Sequence, residues 1–283
     1  MGKIILSAFA DEYDHNPHIH ATFLKNNGVG YIEPRFVNGE NITVASEDKV
    51  KEYKETLDSY GIRVFSLGSP LGKINLADDF SAHLEMAKRC FENAKILDAS
   101  RIRMFSFYLR EGMTREESRS EVMEKLNSLV ELASEYGIIL CHENEAKIYG
   151  ENAECCLDIM KTFEGKIKCV FDMGNFVLDG VESYPKAYNL LRDYIEYFHI
   201  KDSLYEGAIV PAGSGEAKIY EILSDYTRNY ERDVIVTLEP HLETFEGLNK
   251  LVGKTFENPF KFDSKEIAFE SGLVALKNIL ARI

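Results

Sequence analysis

The sequence predicts one domain built as a (β/α)8 barrel of eight parallel strands, and three observations point there. The chain has 283 residues, and one such barrel fills about 250 residues and upward. Short β-branched or aromatic runs alternate eight times with longer segments of helical period, the pattern of repeated strand–helix units. No Ser/Pro/Gly-rich linker or low-complexity tract interrupts the alternation, so a single barrel over residues 1–283 is expected rather than two domains. An open doubly wound sheet would want a glycine-rich phosphate turn after an early strand. The segment after the first strand, Phe9-Ala10-Asp11-Glu12-Tyr13, has no glycine.

In chain order the strands fall at about Ile4 to Ala8, Gly30 to Pro34, Arg63 to Leu67, Arg101 to Phe107, Ile138 to Glu143, Lys168 to Asp172, Tyr197 to Ile200 and Val234 to Glu239. Helices fill the gaps. Ser46 to Ser59, Ser81 to Leu97, Arg115 to Tyr136 and Ser264 to Arg282 carry apolar residues at three- and four-residue intervals, several opening on Ser or Thr followed by acids. Gly61 and Gly137 come directly after two of them, the usual left-handed stop, so Ile62 and Ile138 restart the chain as strand.

Composition narrows the function classes. Apolar residues make up 45% and charged ones 28%, enough for a large core without staples. Lys plus Arg total 33 against 47 acids, a net charge of −14. Such a surface repels nucleic-acid phosphates and anionic membranes. No run approaches the roughly 20 apolar residues of a membrane span, and Met1 to Ala8 lacks the parts of a signal peptide, so a cytoplasmic protein is expected. The cysteines Cys90, Cys141, Cys155, Cys156 and Cys169 are odd in number and show no CxxC pairing. They read as reduced, mostly buried thiols, none of them a nucleophile.

Chemistry in a barrel sits where the C-terminal ends of its strands meet. Strand five closes on Glu143, strand six on Asp172 and strand eight on Glu239, each a carboxylate ending an apolar run. Strand seven places His199 in the equivalent position, with Lys201 two residues on and therefore on the same face. Each separation matches one strand–helix unit, with room for a longer loop before the last strand. Three acids crowded at an apolar mouth would raise one another's pKa unless a cation sits among them. Glu143, Asp172, His199 and Glu239 are therefore expected to hold one divalent metal ion. Oxygen ligands with a single imidazole suit Mn²⁺ or Mg²⁺ first, with Co²⁺, Zn²⁺ or Fe²⁺ also open.

Several segments extend the pattern: Cys141-His142-Glu143-Asn144-Glu145 with Ile148-Tyr149-Gly150, Phe171-Asp172-Met173-Gly174-Asn175-Phe176, His199-Ile200-Lys201-Asp202 and Leu238-Glu239-Pro240-His241. Together with Glu33-Pro34-Arg35, Gly68-Ser69-Pro70-Leu71-Gly72-Lys73, Arg103 to Tyr108 and Pro211 to Glu216, they resemble the xylose isomerase-like TIM barrel superfamily, in its sugar phosphate isomerase/epimerase branch. The resemblance covers nearly the whole chain. It implies one divalent ion, often Mn²⁺, on Glu143, Asp172, His199 and Glu239, and proton abstraction beside a sugar carbonyl. It also places Glu216, in the loop after strand seven, on the substrate side. Many epimerases of that branch have histidine three residues after the strand-six aspartate. Here Asn175 stands there, able to hydrogen-bond a hydroxyl but unable to carry a proton.

The expected activity is isomerisation or epimerisation of a small sugar or sugar phosphate, with Glu143 and Glu239 as the proton-transferring pair and an enediolate between them. A metal-dependent dehydratase of a keto-sugar or keto-cyclitol is the rival, since it starts with the same proton abstraction. A DNA-cleaving relative would need more metal ligands and a basic groove, against seven histidines here. A non-catalytic sugar or ion sensor is the remaining reading. Arg35, Lys73, Arg103 and Lys201 either receive a phosphate or carboxylate on the sugar or pair with neighbouring acids, Arg35 with Glu33 for instance. Gly213-Ser214-Gly215 has the composition of an anion-cradling turn. Ala146 to Gly150, with Tyr149, and the long connection Pro240 to Phe262, with Phe245, Phe256, Phe260 and Phe262, are candidate lids or a face for a second subunit.

Overall fold

The computed structural model describes residues 2–242 and 260–283. Eight parallel staves form a closed ring. β1 is Ile4–Ala8, β2 is Tyr31–Ile32, β3 consists of Arg63–Val64 and Leu67–Gly68, and β4 is Arg101–Met104. They are followed by β5 Ile139–Glu143, β6 Ile167–Asp172, β7 Ile195–Ile200 and β8 Val234–Leu238. One continuous sheet runs from β1 through β8, β7, β6, β5 and β4 to the second half of β3. The first half of β3 pairs with β2, and the Glu33 N–H donates to the Ala8 carbonyl at 3.1 Å, joining the β2 stave to β1. The predicted order and direction of the staves hold. β2 and β3 are more broken than their sequences suggest, each keeping only two-residue ladders.

Helices cover the outside: α1 Pro17–Asn26, α2 Glu47–Tyr60, α3 Phe80–Ile96, α4 Arg115–Tyr136, α5 Ala153–Phe163, α6 Met173–Leu178, α7 Tyr188–Leu191, α8 Ile219–Asn229 and α9 Lys265–Leu280. α4 starts on a full capping box between Thr114 and Glu117. Gly61 and Gly137 end α2 and α4 at φ of 73° and 68°, the left-handed stop expected of them. The expected start of the third helix at Ser81 shifts. Asp79 is the cap, its carboxylate accepting the Ser81 and Ala82 N–H groups at 2.9 and 3.3 Å, because a carboxylate suits the positive helix start better than a hydroxyl does.

Alternation along the strands separates two cores. Outward residues pack against the helices in the main cluster, which includes Ile102, Leu140, Phe171, Phe198 and Val236. Inward residues Cys141, Val170, Tyr197 and Ile235 form a second cluster inside the barrel, with Ile5, Tyr31, Phe65 and Ile139. Two residues further along the same inward rows come Glu143, Asp172 and His199. The apolar layer is thus the floor on which the polar mouth stands. All five cysteines are free, and four of them are buried. Among the described residues no helix is long and apolar enough to cross a membrane.

Candidate metal and substrate site

Strand register brings the four predicted ligands together. His199 is aligned with Asp172 across β7 and β6 and with Thr237 across β7 and β8, while Glu143 ends β5 opposite Val170. Glu239 follows β8 and donates its N–H to the Ile200 carbonyl at 3.1 Å. One ligand atom from each of Glu143, Asp172, His199 and Glu239 lies within 4.8 Å of the others. All four are buried.

The imidazole is held from both sides. His199 Nδ1 lies 2.9 Å from Glu143 Oε1 and 3.6 Å from Glu239 Oε2, whereas Nε2 lies 3.1 Å from Glu33 Oε2. Glu33 is fixed in turn by the Tyr197 hydroxyl at 2.8 Å and the Thr237 hydroxyl at 3.0 Å. This is the arrangement in which a carboxylate orients a ligating histidine through its far nitrogen. Burial opposes charge on His199, yet Glu143 and Glu33 raise it to about 10. Burial pushes Glu143 up, but His199 and Arg103 outweigh it and bring the carboxyl down to about 2. Asp172 rises to about 6 through burial, with Glu143 and Glu239 adding to the effect and Lys201 opposing it.

Basic side chains ring the acids. Lys201 Nζ reaches Asp172 Oδ2 at 3.2 Å, Glu239 Oε2 at 3.4 Å and Asn175 Oδ1 at 2.9 Å. Arg103 donates to Glu143 Oε2 at 3.1 Å and stacks over Phe105 and Phe9. Arg35 pairs with Asp11, Glu12 and Glu239 at 2.7, 3.1 and 3.2 Å. The expected Arg35–Glu33 pair does not form, because Glu33 points into the barrel interior toward His199. Lys73 pairs with Glu145 at 2.7 Å. Asn175 donates to the Asn144 carbonyl at 2.9 Å and to Glu143 Oε1 at 3.5 Å.

Whether these residues suit a metal ion can be judged from the donors alone. Glu239 Oε2 is buried and makes no hydrogen bond among the described residues. Lys201 Nζ at 3.4 Å is misaligned for one, and His199 Nδ1 at 3.6 Å is too far. A buried carboxylate oxygen without a partner is uncommon. Six carboxylates, Asp11, Glu12, Glu33, Glu143, Asp172 and Glu239, face three permanent cations, Arg35, Arg103 and Lys201, and two imidazoles, His199 and His241, that these acids hold protonated. A dication meets both needs, so the residues fit one.

Outside the cluster opens a cavity of about 780 Å³, lined by Arg35, Lys73, Arg103, Glu143, Asn175, Lys201, Glu239 and His241 among others. That volume suits a small organic ligand. Glu216 is not among the lining residues; its carboxylate accepts the Tyr205 N–H at 3.0 Å. Gly213-Ser214-Gly215 is not an open anion cradle either. The N–H groups of Gly213, Gly215, Ala217 and Ser203 converge at 2.7 to 3.1 Å on the Asp202 carboxylate, which occupies the place an anion would take. Tyr149 does not act as a lid aromatic, because it is buried and its hydroxyl donates to Asp158 on α5 at 2.7 Å. Ala146 and Lys147 of that loop do line the cavity. In the second candidate lid, Phe245 and Phe256 lie outside the described residues, while Phe262 packs beside Ile209, Leu242 and Ala268.

The sequence reading missed Glu33 as the second partner of His199, Phe9 as the ring 4.9 Å from the imidazole, and His241. Glu33 carries the same signature as Glu143, Asp172 and Glu239, a carboxylate closing a strand. His241 Nδ1 and Nε2 lie 2.8 Å from Glu12 and 3.0 Å from Glu239. No local pattern distinguishes it.

The ring of staves and the acid–imidazole cluster at its mouth define a class, the α/β barrels with a candidate metal site where their strands end. The chain belongs to the xylose isomerase-like TIM barrel family, which it matches over residues 21–253. No curated protein matches it. Solved structures share its fold at low identity. D-psicose 3-epimerase with D-tagatose from Clostridium cellulolyticum H10 has a TM-score of 0.73 at 15% identity, covering 99% of this chain and 98% of that one. The probable 3-DHS dehydratase AsbF from Bacillus anthracis has a TM-score of 0.72 at 16% identity, covering 98% and 99%. The IolI protein with a bound zinc atom has a TM-score of 0.72 at 18% identity, covering 100% and 99%.

Proposed function

We propose that the protein is a divalent-metal-dependent isomerase or epimerase of a small sugar or sugar phosphate. The observation that carries this reading is the division of the buried cluster. Of the four residues, only Glu143 and Glu239 line the cavity, whereas Asp172 and His199 lie behind them. A substrate in the cavity therefore meets two carboxylates held apart by the imidazole. One takes the proton from the carbon beside the carbonyl and the other returns it. Glu143, Asp172, His199 and Glu239 would hold the ion, Mn²⁺ or Mg²⁺ by their oxygen-rich chemistry, with the zinc of the IolI structure keeping Zn²⁺ and Co²⁺ in play. When bound, the ion supplies charge stabilisation for the developing oxyanion.

The chain's own residues do the rest. Arg103 and Asn175 fix the two oxygens of Glu143, while Arg35 and His241 fix Oε1 of Glu239 and leave its Oε2 available. Phe36, Pro70, Leu178 and Ile209 in the wall keep bulk water from a reactive intermediate. The chemistry points to one small-molecule substrate, and the acidic surface argues against nucleic acid as a partner.

A metal-dependent dehydratase of a keto-sugar or keto-cyclitol is the second reading. His241 favours it, as an N–H group at the cavity wall beside Glu239 that could protonate a departing hydroxyl. One experiment tests both. The protein loaded with Mn²⁺ or Mg²⁺ is incubated with ketoses, ketose phosphates and keto-cyclitols in deuterated water and followed by NMR. Deuterium at the carbon beside the carbonyl, with an interconverting pair of sugars, is expected. Irreversible loss of water selects the dehydratase, and no exchange in any metal form removes both.

A further inference from the structure

We infer that the substrate is an uncharged polyhydroxy carbonyl compound rather than a phosphate ester, and that Asp179 binds the hydroxyl farthest from the reacting carbon. This rests on the isomerase or epimerase reading above and narrows it.

The cations of the cavity wall come first. A phosphate dianion is recognised by arginine or lysine whose charge is not already neutralised. Arg35 is shared among three carboxylates, Arg103 is paired with Glu143, Lys201 with Asp172 and Glu239, and Lys73 with Glu145. Lys147 is engaged as well. Even with a dication added, the inner cluster has no surplus of positive charge. Binding a phosphate would require one of these pairs to open.

The outer end of the cavity is acidic. Asn175, Leu178 and Asp179 all line the cavity and sit at helical spacing on one face of α6. Asn175 touches the metal cluster through Glu143 and Lys201. Asp179 lies seven residues beyond Asp172, about 10 Å along a helix rising about 1.5 Å per residue, a distance suited to the far end of a five- or six-carbon sugar. Glu145 and Glu151 line the same region. Burial, with Glu151 and Glu145 adding to it, raises the Asp179 carboxyl to about 7. A second negative charge brought to this end would meet three acids.

Unused hydrogen-bonding atoms complete the case. Asp179 Oδ2 and Arg103 Nε are both shielded from solvent and have no hydrogen-bond partner among the described residues. Buried polar atoms are normally satisfied, and these two belong to residues of the same cavity wall. With their side chains turned toward the cavity, one carboxyl oxygen and one N–H donor would complement the hydroxyl groups of a sugar, each of which both donates and accepts.

The test compares a free ketose with its terminal phosphate, using solvent-deuterium exchange by the metal-loaded protein. The free sugar should show kcat/KM about tenfold or more above the phosphate, the equivalent of roughly 1.4 kcal/mol. Asp179→Asn should raise KM for the free sugar several-fold with kcat little changed. Asp179→Lys should move the preference toward the phosphate by about tenfold, an exchange of specificity that a merely structural role would not produce. A wild-type preference for the phosphate, or a ratio indifferent to Asp179→Lys in a folded variant, overturns the inference and leaves the isomerase reading intact. Exchange with neither sugar in any metal form overturns the reading itself and this inference with it.

Discussion

At the scale of single residues, the site consists of side chains whose partners already fix their geometry. Replacing Glu143 or Glu239 with Gln keeps the shape but removes the carboxylate proposed as proton acceptor, so turnover should fall by about 10²- to 10⁴-fold. Full activity of either variant on a proven substrate would show that the proton pair lies elsewhere. Glu33 never meets the cavity; it holds His199 through Nε2. Its Gln variant should weaken metal binding by about 10- to 100-fold, read by calorimetric titration of Mn²⁺. Unchanged affinity would mean that the imidazole is oriented by packing on Phe9 and Tyr197 rather than by this carboxylate. The cluster of Glu143, Asp172, His199 and Glu239 was legible in the sequence, because a carboxylate closing an apolar strand stands out locally. Glu33 carried the same signal, but its pairing with His199 was hidden because their strands are far apart in the chain.

At the scale of elements, the loop after β7 shows how one buried charge replaces a ligand. Asp202 gathers four backbone N–H groups, so Asp202→Ala should strand them and cost about 3 kcal/mol or more. The loss should appear as a lower urea midpoint with an unchanged slope. A shift below about 0.5 kcal/mol would mean that water takes over the four donors. Composition alone makes Gly213-Ser214-Gly215 look like an anion cradle, and only the fold reveals that the anion is internal. α6 is similar. Gly174 packs so closely on the Lys201 carbonyl that an added Cβ would come within 2.6 Å of it. This close contact keeps the helix start beside β7 and sets where Asn175 and Asp179 fall.

For the whole molecule, a metal held by the proposed site and the protons would act as linked ligands of folding. An ion bound only by the folded ring, at about 100 times its Kd, should add about 2.7 kcal/mol and raise the unfolding midpoint by several degrees. A midpoint indifferent to Mn²⁺, Mg²⁺ and Zn²⁺ would count against the metal site. His83 sets a pH limit. Its Nε2 accepts the Gly72 N–H at 2.9 Å, so the folded protein holds the ring neutral. Burial, with Lys125 nearby, lowers it to about 4 from 6.5. Between those values the unfolded chain binds the proton and the folded one does not. The stability is therefore fully present above about pH 6.5 and is lost as pH falls toward 4, by up to about 1.4 kcal/mol per pH unit. His83→Gln should flatten that part of the midpoint-versus-pH curve. An identical slope in the variant would assign the acid sensitivity to other groups.

The sequence by itself determined the barrel, the order of its staves and the four residues that meet at its mouth. Period-two strands, helical stripes and strand-end acids are local patterns, and eight units of one handedness close in one way. Tertiary structure alone decided which charges meet. Arg35 turns to Asp11, Glu12 and Glu239, Asp202 fills the glycine turn, Tyr149 is buried on α5, and Asp179 Oδ2 is left without a hydrogen-bond partner among the described residues. Such pairings depend on distances of 3 to 4 Å between residues far apart in the chain, and no periodicity along one strand or helix encodes them.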